Sequence, residues 1–444
     1  MEAIQIIQGM TLTQIANLFC LVVLCVGLLS GRHPLGLVAM TTCVLLVLTQ
    51  VLTIEEAFAG FANQTVVMLS CMYVLSSAFS RTPLMTKIRG LMGTLQGKTG
   101  FILVVGVFGV CFVLAQFLPS GVTVPLMVTF LASLGDTGGD VTPSRLMFPC
   151  MGIASFCLGS LPIGLGVGAQ AQINAFYEGM ITDPSQLCQF LDPALFMIIP
   201  SILCLLFCIF GYKILPRGGV VSSKDTGKSA IHTGGEPITG IGEKIVYFCF
   251  FGTVLCLVVF SMLGSDLAYI FPAVSVLILY FTKTMTLPDI KKSLTGTIVF
   301  MVAGVLIMSD AMAKTGLGDV VGELILTLIG KTASPYFALF VFGVSAIAMT
   351  TFMSNFGSLA VLTPLAVSTA ISAGWNPLPF VLIVKQLAWC DILLPSASSA
   401  AATGHAAAGY KLGESLRFSI PFVLLAVAGG RWTGSGPHRG SCRC

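Results

Sequence analysis

VVMLSCMYVLSSAFSRTPL, residues 66–84, aligns without a gap with VFMVAGVLIMSDAMAKTGL, residues 299–317, at a shift of 233 residues. Six of the nineteen positions are identical, whereas about one or two would match by chance between apolar segments of this composition. The same shift aligns Leu161 with Leu394 and Pro162 with Pro395. The repeat predicts a chain built from two related halves, an architecture typical of membrane transporters whose substrate site lies between the halves.

The composition places the chain in a membrane. Of its 444 residues, 56% are hydrophobic and only 9% are charged, and the mean hydropathy is +0.97. Soluble folds of this length do not have that composition. No Lys or Arg precedes Arg32, so the first apolar segment lacks the basic leader of a cleaved signal and is expected to be retained. We therefore predict a multi-pass integral protein, in a bacterial inner membrane.

Apolar runs near the ~20 residues that cross a bilayer predict the same plan in both halves. Residues 213–244 form a polar linker between the halves, and residues 430–444 form an atypical Arg- and Gly-rich tail. We interpret that tail as a truncated or frame-shifted C-terminus. The runs lie at 16–31, 35–53, 64–80, 101–134, 144–181 and 191–212 in the first half (1–212), and at 245–264, 267–282, 295–313, 335–373, 378–410 and 415–429 in the second (245–429).

The positive charges predict how the halves are oriented. If 101–134 and 335–373 are hairpins that enter and leave the membrane on one side, most of the 22 basic residues face a single, cytoplasmic side. With three spans before each hairpin region, the second half is then inverted relative to the first. The predicted fold is an all-α polytopic membrane protein with two inverted repeats, each containing a re-entrant helical hairpin and a broken transmembrane helix.

Four interruptions of the apolar runs are candidates for the functional site. They are FLPSGVTVP (117–125) and LPIGLGVGAQAQ (161–172) in the first half, and MSNFGS (353–358) and LPSASSAAATG (394–404) in the second. Non-helical backbone at membrane depth is tolerated where protein or a water-filled cavity satisfies its polar groups. Helix N-termini at such breaks favour anions, and unwound carbonyls and hydroxyls can hold a small cation.

The second hairpin carries a resemblance to a known family. Ser354 and Asn355, followed by Pro364 in SNFGSLAVLTP, resemble the second signature of the divalent anion/sodium symporters. That family belongs to the ion transporter superfamily, which also contains arsenite permeases and sodium/proton antiporters. The resemblance implies that hairpin tips and broken helices bind sodium and substrate carboxylates. It also implies a scaffold part that forms a homodimer and a transport part that moves as an elevator.

The resemblance and the interruptions together assign the candidate site residues. Phe356 stands where the family has Thr, and no Asn occurs in the first tip, so the anion and the coupling ion stay open. The substrate-binding candidates are Ser120, Gly121, Thr123, Pro162, Ser354, Asn355, Gly357, Pro395, Ser396 and Ser398. The cation-binding candidates are Ser120, Gly164, Gly168, Ser354, Asn355, Asp391 and Ser399.

Asp310, Lys385 and Asp391 are charged residues at positions where lipid would make charge costly unless it faces a cavity or a partner. Asp391, four residues before Pro395, is the preferred ligand for a proton or sodium. Lys385 has an equally good structural explanation, in which it snorkels to the outer interface near Trp375 and Trp389. For Asp310, a position at the end of its apolar span is as good an explanation as a functional role.

The sequence thus predicts a secondary active transporter for a small anion, either a di- or tricarboxylate or an inorganic anion such as sulfate, with sodium as the coupling ion. The alternative is a cation/proton antiporter or an arsenite-type permease of the same superfamily, with Asp310 and Asp391 at its centre. A membrane-embedded enzyme is disfavoured because the four histidines are isolated and no HExxH or nucleotide-binding loop occurs. No cofactor and no nucleic-acid partner are predicted.

Overall fold

In the computed structural model of the chain, every regular element among the described residues is helical. The structure describes residues 9–30, 33–83, 100–133, 141–181, 186–217, 237–262, 270–294, 297–330, 334–352, 354–395 and 397–434. Most of the predicted linker, at 218–236, and the end of the predicted tail, at 435–444, lie outside these ranges.

The described residues of the first half form nine α-helices. The third and the eighth are single short segments, and a 3-10 turn at Gly164–Gly168 precedes the eighth. In chain order the helices are α1 (Leu12–Ser30), α2 (Leu35–Leu48), α3 (Ile54–Ala59), α4 (Gln64–Ser80), α5 (Gly100–Phe117), α6 (Ser120–Ser133), α7 (Pro143–Phe156), α8 (Ala169–Asn174) and α9 (Asp192–Gly211).

The described helices of the second half follow the same order, and the counterpart of the helix at Leu317–Ile329 would fall at 84–96, outside the described residues. The repeat shift aligns the first residue of α4, Gln64, with Thr297, which begins the corresponding helix. The helices are α10 (Ile241–Met262), α11 (Phe271–Phe281), α12 (Leu287–Leu294), α13 (Thr297–Thr315), α14 (Leu317–Ile329), α15 (Pro335–Phe352), α16 (Asn355–Ser372), α17 (Leu378–Leu387), α18 (Ser399–Ala408) and α19 (Leu412–Gly434).

The predicted all-helical membrane fold is confirmed. Within the described residues, six helices are long and apolar enough to cross a membrane, or seven if a bent pair counts as one span. That pair is α13 and α14, which meet at an angle of 88°. Gly316 forms the corner with a φ of 69°, a conformation that glycine adopts without strain. The inverted orientation of the two halves stays a prediction.

The helices pack in two groups that each draw on both halves. In one group, α2 lies along α13, and Gly304 brings the two backbones together beside Ala39. In the other, α9 lies along α19, with Gly429 against Pro200, and α7 lies against α18. All four predicted interruptions lie in this second group, between α5 and α6, after α7, between α15 and α16, and between α17 and α18.

An ion pair ties the end of α4 to α12. Arg81 Nη1 lies 2.8 Å from Asp289 Oδ2, and the side chains are 8% and 26% exposed. The hydrogen bond from Arg81 holds the pKa of the Asp289 carboxyl below its ordinary value. The pair therefore contributes stability above the unfolded-state pKa of about 3.9 and loses it as the pH falls through the lower folded-state value.

We expect Asp289→Asn to destabilise the protein by about 1 kcal/mol at pH 7, because Arg81 keeps only a neutral partner. Thermal unfolding in detergent measures this, with Asp319→Asn at an exposed position as the control. The difference between wild type and Asp289→Asn should shrink as the pH falls below about 4. A difference that persists unchanged in acid would contradict the role of the ion pair.

Candidate functional site

The two hairpin tips and the two broken helices meet at one cavity of about 400 Å³. Pro119 and Ser120 come from the first tip, and Ser354, Asn355 and Phe356 come from the second. The interruptions after α7 and after α17 also contribute residues to the lining. The complete lining is Tyr73, Pro119, Ser120, Leu158, Gly159, Leu165, Ala169, Gln172, Ser354, Asn355, Phe356, Lys385, Trp389, Ala397 and Ser398.

The first tip is a two-residue break between α5 and α6. Ser120 begins α6 and lines the cavity, whereas Gly121 and Thr123 do not. The buried Thr123 hydroxyl donates to the Leu118 carbonyl at 3.2 Å. Thr123 therefore satisfies the backbone of its own break, a common use of hydroxyl side chains in membrane helices.

The second tip is fixed by two polar side chains. The Ser354 hydroxyl caps α16 by accepting from the Gly357 N–H at 3.0 Å, so Gly357 serves the cap and does not line the cavity. The Thr350 hydroxyl donates to Asn355 Oδ1 at 2.8 Å and lies 2.7 Å from the Ala388 carbonyl. Thr350 therefore connects the second tip with the end of α17, where the second broken helix is interrupted.

Gln116 of α5 stabilises the non-helical backbone of the first broken helix. Gln116 Oε1 accepts from the Leu161 N–H at 3.0 Å, and its Nε2 donates to the Cys157 carbonyl at 3.1 Å. Gly164 has a φ of 57°, and a Cβ there would overlap the Gln116 carbonyl oxygen. Pro162, Gly164 and Gly168 lie outside the cavity lining.

The second broken helix opens between α17 and α18. Ser398 caps α18 by accepting from the Ala401 N–H at 3.0 Å, and it lines the cavity together with Ala397. Pro395 is exposed and does not line the cavity. Ser396 and the side chain of Ser399 lie outside the described residues.

Asp391 lies directly behind the second tip. It is 1% exposed, and its Oδ2 accepts from Asn355 Nδ2 at 3.4 Å. Its other oxygen, Oδ1, has no hydrogen-bond partner among the described residues, and neither does the buried hydroxyl of Ser155 in α7. A buried carboxylate oxygen without a donor is expensive, so this position favours a bound cation or a proton.

Lys385 faces the cavity and does not snorkel to an interface. Its side chain is 5% exposed, and its Nζ lies 3.3 Å from Met197 Sδ and 5.4 Å from the centre of the Trp389 ring. Asp310 does not end its span, as the structural explanation required, because α13 continues to Thr315. Its carboxylate packs on the backbone at Gly179, away from the cavity lining.

The model of the CitMHS citrate transporter family matches residues 19–385 of the chain. The chain belongs to this family. Its place in the ion transporter superfamily, which the resemblance of the second tip implied, is thereby confirmed. The family is one of transporters and not of enzymes, so that expectation is confirmed as well, as is an integral membrane location.

Solved transporter structures share the fold. The YdaH transporter of Alcanivorax borkumensis superposes with a TM-score of 0.54 at 11% identity, over 85% of each chain. MtrF of Neisseria gonorrhoeae, described as one of a class of antimetabolite efflux pumps, superposes with a TM-score of 0.58 at 15% identity, over 87% of this chain and 84% of its own. At these identities the likeness concerns the fold alone.

A curated relative matches one part of the chain. The uncharacterized transporter YfbS of Escherichia coli strain K12 is 23% identical over 137 residues. That alignment spans 31% of this chain and 22% of the length of YfbS. It supports transport as the activity class of the CitMHS protein and adds no substrate.

The cavity of this CitMHS protein is electropositive. Three helices of eight or more residues begin at it: α6 at Ser120, α16 beside Ser354 and α18 beside Ser398. The N-terminus of a helix carries a partial positive charge. Lys385 adds a positive charge when it is protonated, and the described lining contains no Asp or Glu. The described cavity can therefore stabilise an anion.

Sequence reasoning missed several lining residues. Tyr73 and Trp389 carried no signal because they read as ordinary members of apolar helices, whereas Gln172 ends the predicted interruption at 161–172 without being among the named candidates. Lys385 did carry one, since an ionisable residue within an apolar run is a candidate for a functional role. The cysteines of the described residues are free, and all but Cys25 and Cys256 are buried.

Proposed function

We propose that this CitMHS protein is a secondary active transporter that carries a small di- or tricarboxylate, or an inorganic anion such as sulfate, with sodium as its coupling ion. The observation that carries the proposal is the meeting of both hairpin tips and both broken helices at one electropositive cavity. Its volume of about 400 Å³ lies within the ~300–1,000 Å³ typical of small-molecule sites. The family's name makes citrate the first anion to test.

The site residues divide into two roles under this proposal. Ser120, Ser354, Asn355 and Ser398 present hydroxyl, amide and helix N-terminal donors to the anion. Asp391, with its unpartnered Oδ1, holds the cation behind the second tip. Asn355 belongs to both groups, because it lines the cavity and donates to Asp391. Binding of the cation would thereby order the tip that receives the anion.

The proposed transport movement is an elevator. Except for Tyr73 of α4, the residues that line the cavity belong to α5–α9, α15–α19 and the segments between them, whereas α2 and α13 pack together in the other group. A rigid displacement of the first group against the second would carry the closed site across the bilayer. In the resembled family the static group forms a homodimer, and we propose the same here.

One observation favours a second candidate, a cation/proton antiporter or arsenite-type permease. Asp391 is a buried carboxylate with a free oxygen, which is how proton- and cation-carrying residues in membrane proteins are placed. In that case a pH gradient alone would drive transport, and no organic anion would be required.

The test is uptake of radiolabelled citrate and succinate into proteoliposomes, with and without an inward sodium gradient. Because Asn355 lines the cavity and contacts Asp391, we expect Asn355→Ala to lower sodium-dependent uptake about fivefold, the equivalent of one hydrogen bond. Asn376→Ala, at the α16–α17 turn and outside the lining, is the matched control.

Two results would contradict the proposal. Uptake driven equally by proton and sodium gradients, or by a proton gradient alone, would contradict sodium coupling. Absence of anion uptake by folded protein under every gradient, together with cation/proton exchange, would establish the antiporter instead.

A further inference from the structure

Lys385 is a buried lysine without an acidic partner among the described residues. It is 5% exposed and projects from α17 into the cavity lining. No carboxylate of the described residues forms an ion pair with it. Its described polar contacts are the thioether of Met197 at 3.3 Å and the face of Trp389 at 5.4 Å. A thioether is a weak acceptor, and an ammonium has three hydrogens to donate.

Asp391 does not serve as the missing partner. No ion pair among the described residues joins its carboxylate to Lys385, and α17 ends at Leu387, before Asp391. Its Oδ2 accepts from Asn355, behind the second tip. The cation site proposed for Asp391 and the ammonium of Lys385 are therefore separate charges.

A buried charge in a protein is normally paired, because an unpaired one loses its hydration without compensation. Here the unpaired ammonium borders a cavity at which three helix N-termini also begin. Each of these features attracts negative charge, and the lining contains no acidic group that competes for them. The counter-ion is therefore expected from outside the chain.

We infer that Lys385 forms the ion pair with one carboxylate of the bound anion, and that Trp389 and Met197 position its ammonium for this contact. The inference rests on the proposed function and adds the residue that distinguishes a charged substrate from a neutral analogue. The flat face of Trp389 stabilises the cation without satisfying its donors. The three hydrogens of the ammonium thus stay available to the anion.

Binding of citrate to the purified full-length protein tests the inference. Trp375→Phe and Trp432→Phe leave Trp389 as the single tryptophan, so that its fluorescence reports on the neighbourhood of Lys385. We expect citrate to change this fluorescence saturably and trimethyl citrate, which lacks the charges, to have no such effect. In the same background Lys385→Met should raise the apparent Kd about tenfold or more, the loss of one charged hydrogen bond.

Two variants serve as controls. Lys385→Arg keeps the positive charge, so its Kd should stay within about threefold of the original value. A small increase is expected because the guanidinium presents a different donor geometry. Lys213→Met removes an exposed lysine after α9 and should leave the Kd unchanged. Size-exclusion chromatography and thermal unfolding confirm that each variant is folded.

A second measurement needs no substitution. Acetic anhydride should acetylate Lys385 in the wild-type protein, and mass spectrometry quantifies this. Citrate should slow the reaction at Lys385 and leave Lys213 unaffected, whereas trimethyl citrate should protect neither.

Citrate binding that is unchanged in folded Lys385→Met, or acetylation of Lys385 that citrate does not slow, would overturn the inference. Failure of the wild type to bind citrate, succinate or sulfate would overturn it too. Binding through Lys385 without uptake into proteoliposomes would support the inference and contradict the proposed function.

Discussion

Gly164→Ala should prevent the protein from folding, although Gly164 lies outside the cavity lining. Its φ of 57° costs about 1–2 kcal/mol for a residue with a Cβ. The added Cβ would also overlap the carbonyl oxygen of Gln116, and overpacking of this kind costs about 1–3 kcal/mol more. Gln116 is the side chain that satisfies the unwound backbone at Cys157 and Leu161. We therefore expect the yield of monodisperse protein, measured by size-exclusion chromatography, to fall at least about fivefold.

Gly168→Ala is the matched control four residues further on. Its φ of −84° is open to any residue, and the added Cβ would lie 3.6 Å from Met72 Cβ, an ordinary contact. We expect this variant to fold like the wild type. Equal yields of the two variants would show that the close packing against Gln116 is not needed. A folded Gly168→Ala protein that has lost sodium dependence would support the predicted cation role of Gly168.

The helical plan could be predicted because the bilayer imposes it. A chain crossing hydrocarbon must satisfy its backbone internally, so apolar runs of fixed length become helices. The predicted runs at 64–80 and 191–212 correspond within one residue to α4 and α9. The predicted interruptions at 117–125 and 353–358 likewise contain the breaks before α6 and α16.

Three helices were not predicted, because each departs from the apolar-run pattern. α3 and α12 are short and carry charges, although Thr53 and Glu56 form a capping box that the sequence could have revealed. α14 follows α13 after an 88° bend at Gly316. Its close approach to α16, where Gly322 packs on Ser368, depends on contacts that a local pattern does not contain.

All four predicted interruptions contribute to or border the cavity, but the sequence was less informative about which of their residues line it. Ser120, Ser354, Asn355 and Ser398 line the cavity, whereas Thr123 turns its hydroxyl to the Leu118 carbonyl. Both outcomes are compatible with a small polar residue at a helix break. Which one occurs depends on the rotation of each helix against its neighbours, and tertiary packing sets that rotation.

Asp391→Asn should abolish cation-driven uptake while the protein stays folded. The two side chains have nearly the same shape, so the contact with Asn355 and the packing around a 1% exposed group are kept. Only the charge and the acceptor at Oδ1 are lost, and Oδ1 is the buried oxygen without a described partner. Losing a charged ligand in a buried site is worth about 1.5–3 kcal/mol, so uptake should fall about 10- to 100-fold.

Asp310→Asn is the control that separates the two candidate functions. Asp310 is a second acid inside a span, but it packs at Gly179 and does not border the cavity. If Asp391 alone binds the coupling ion, uptake by Asp310→Asn should stay within about twofold of wild type, as expected for a substitution outside the site. Equal losses in both variants, under proton as well as sodium gradients, would favour the antiporter, in which both acids carry charge. Full sodium-driven uptake by Asp391→Asn would instead show that the cation is held by the hydroxyls and carbonyls of the tips alone, because the described lining contains no acidic side chain.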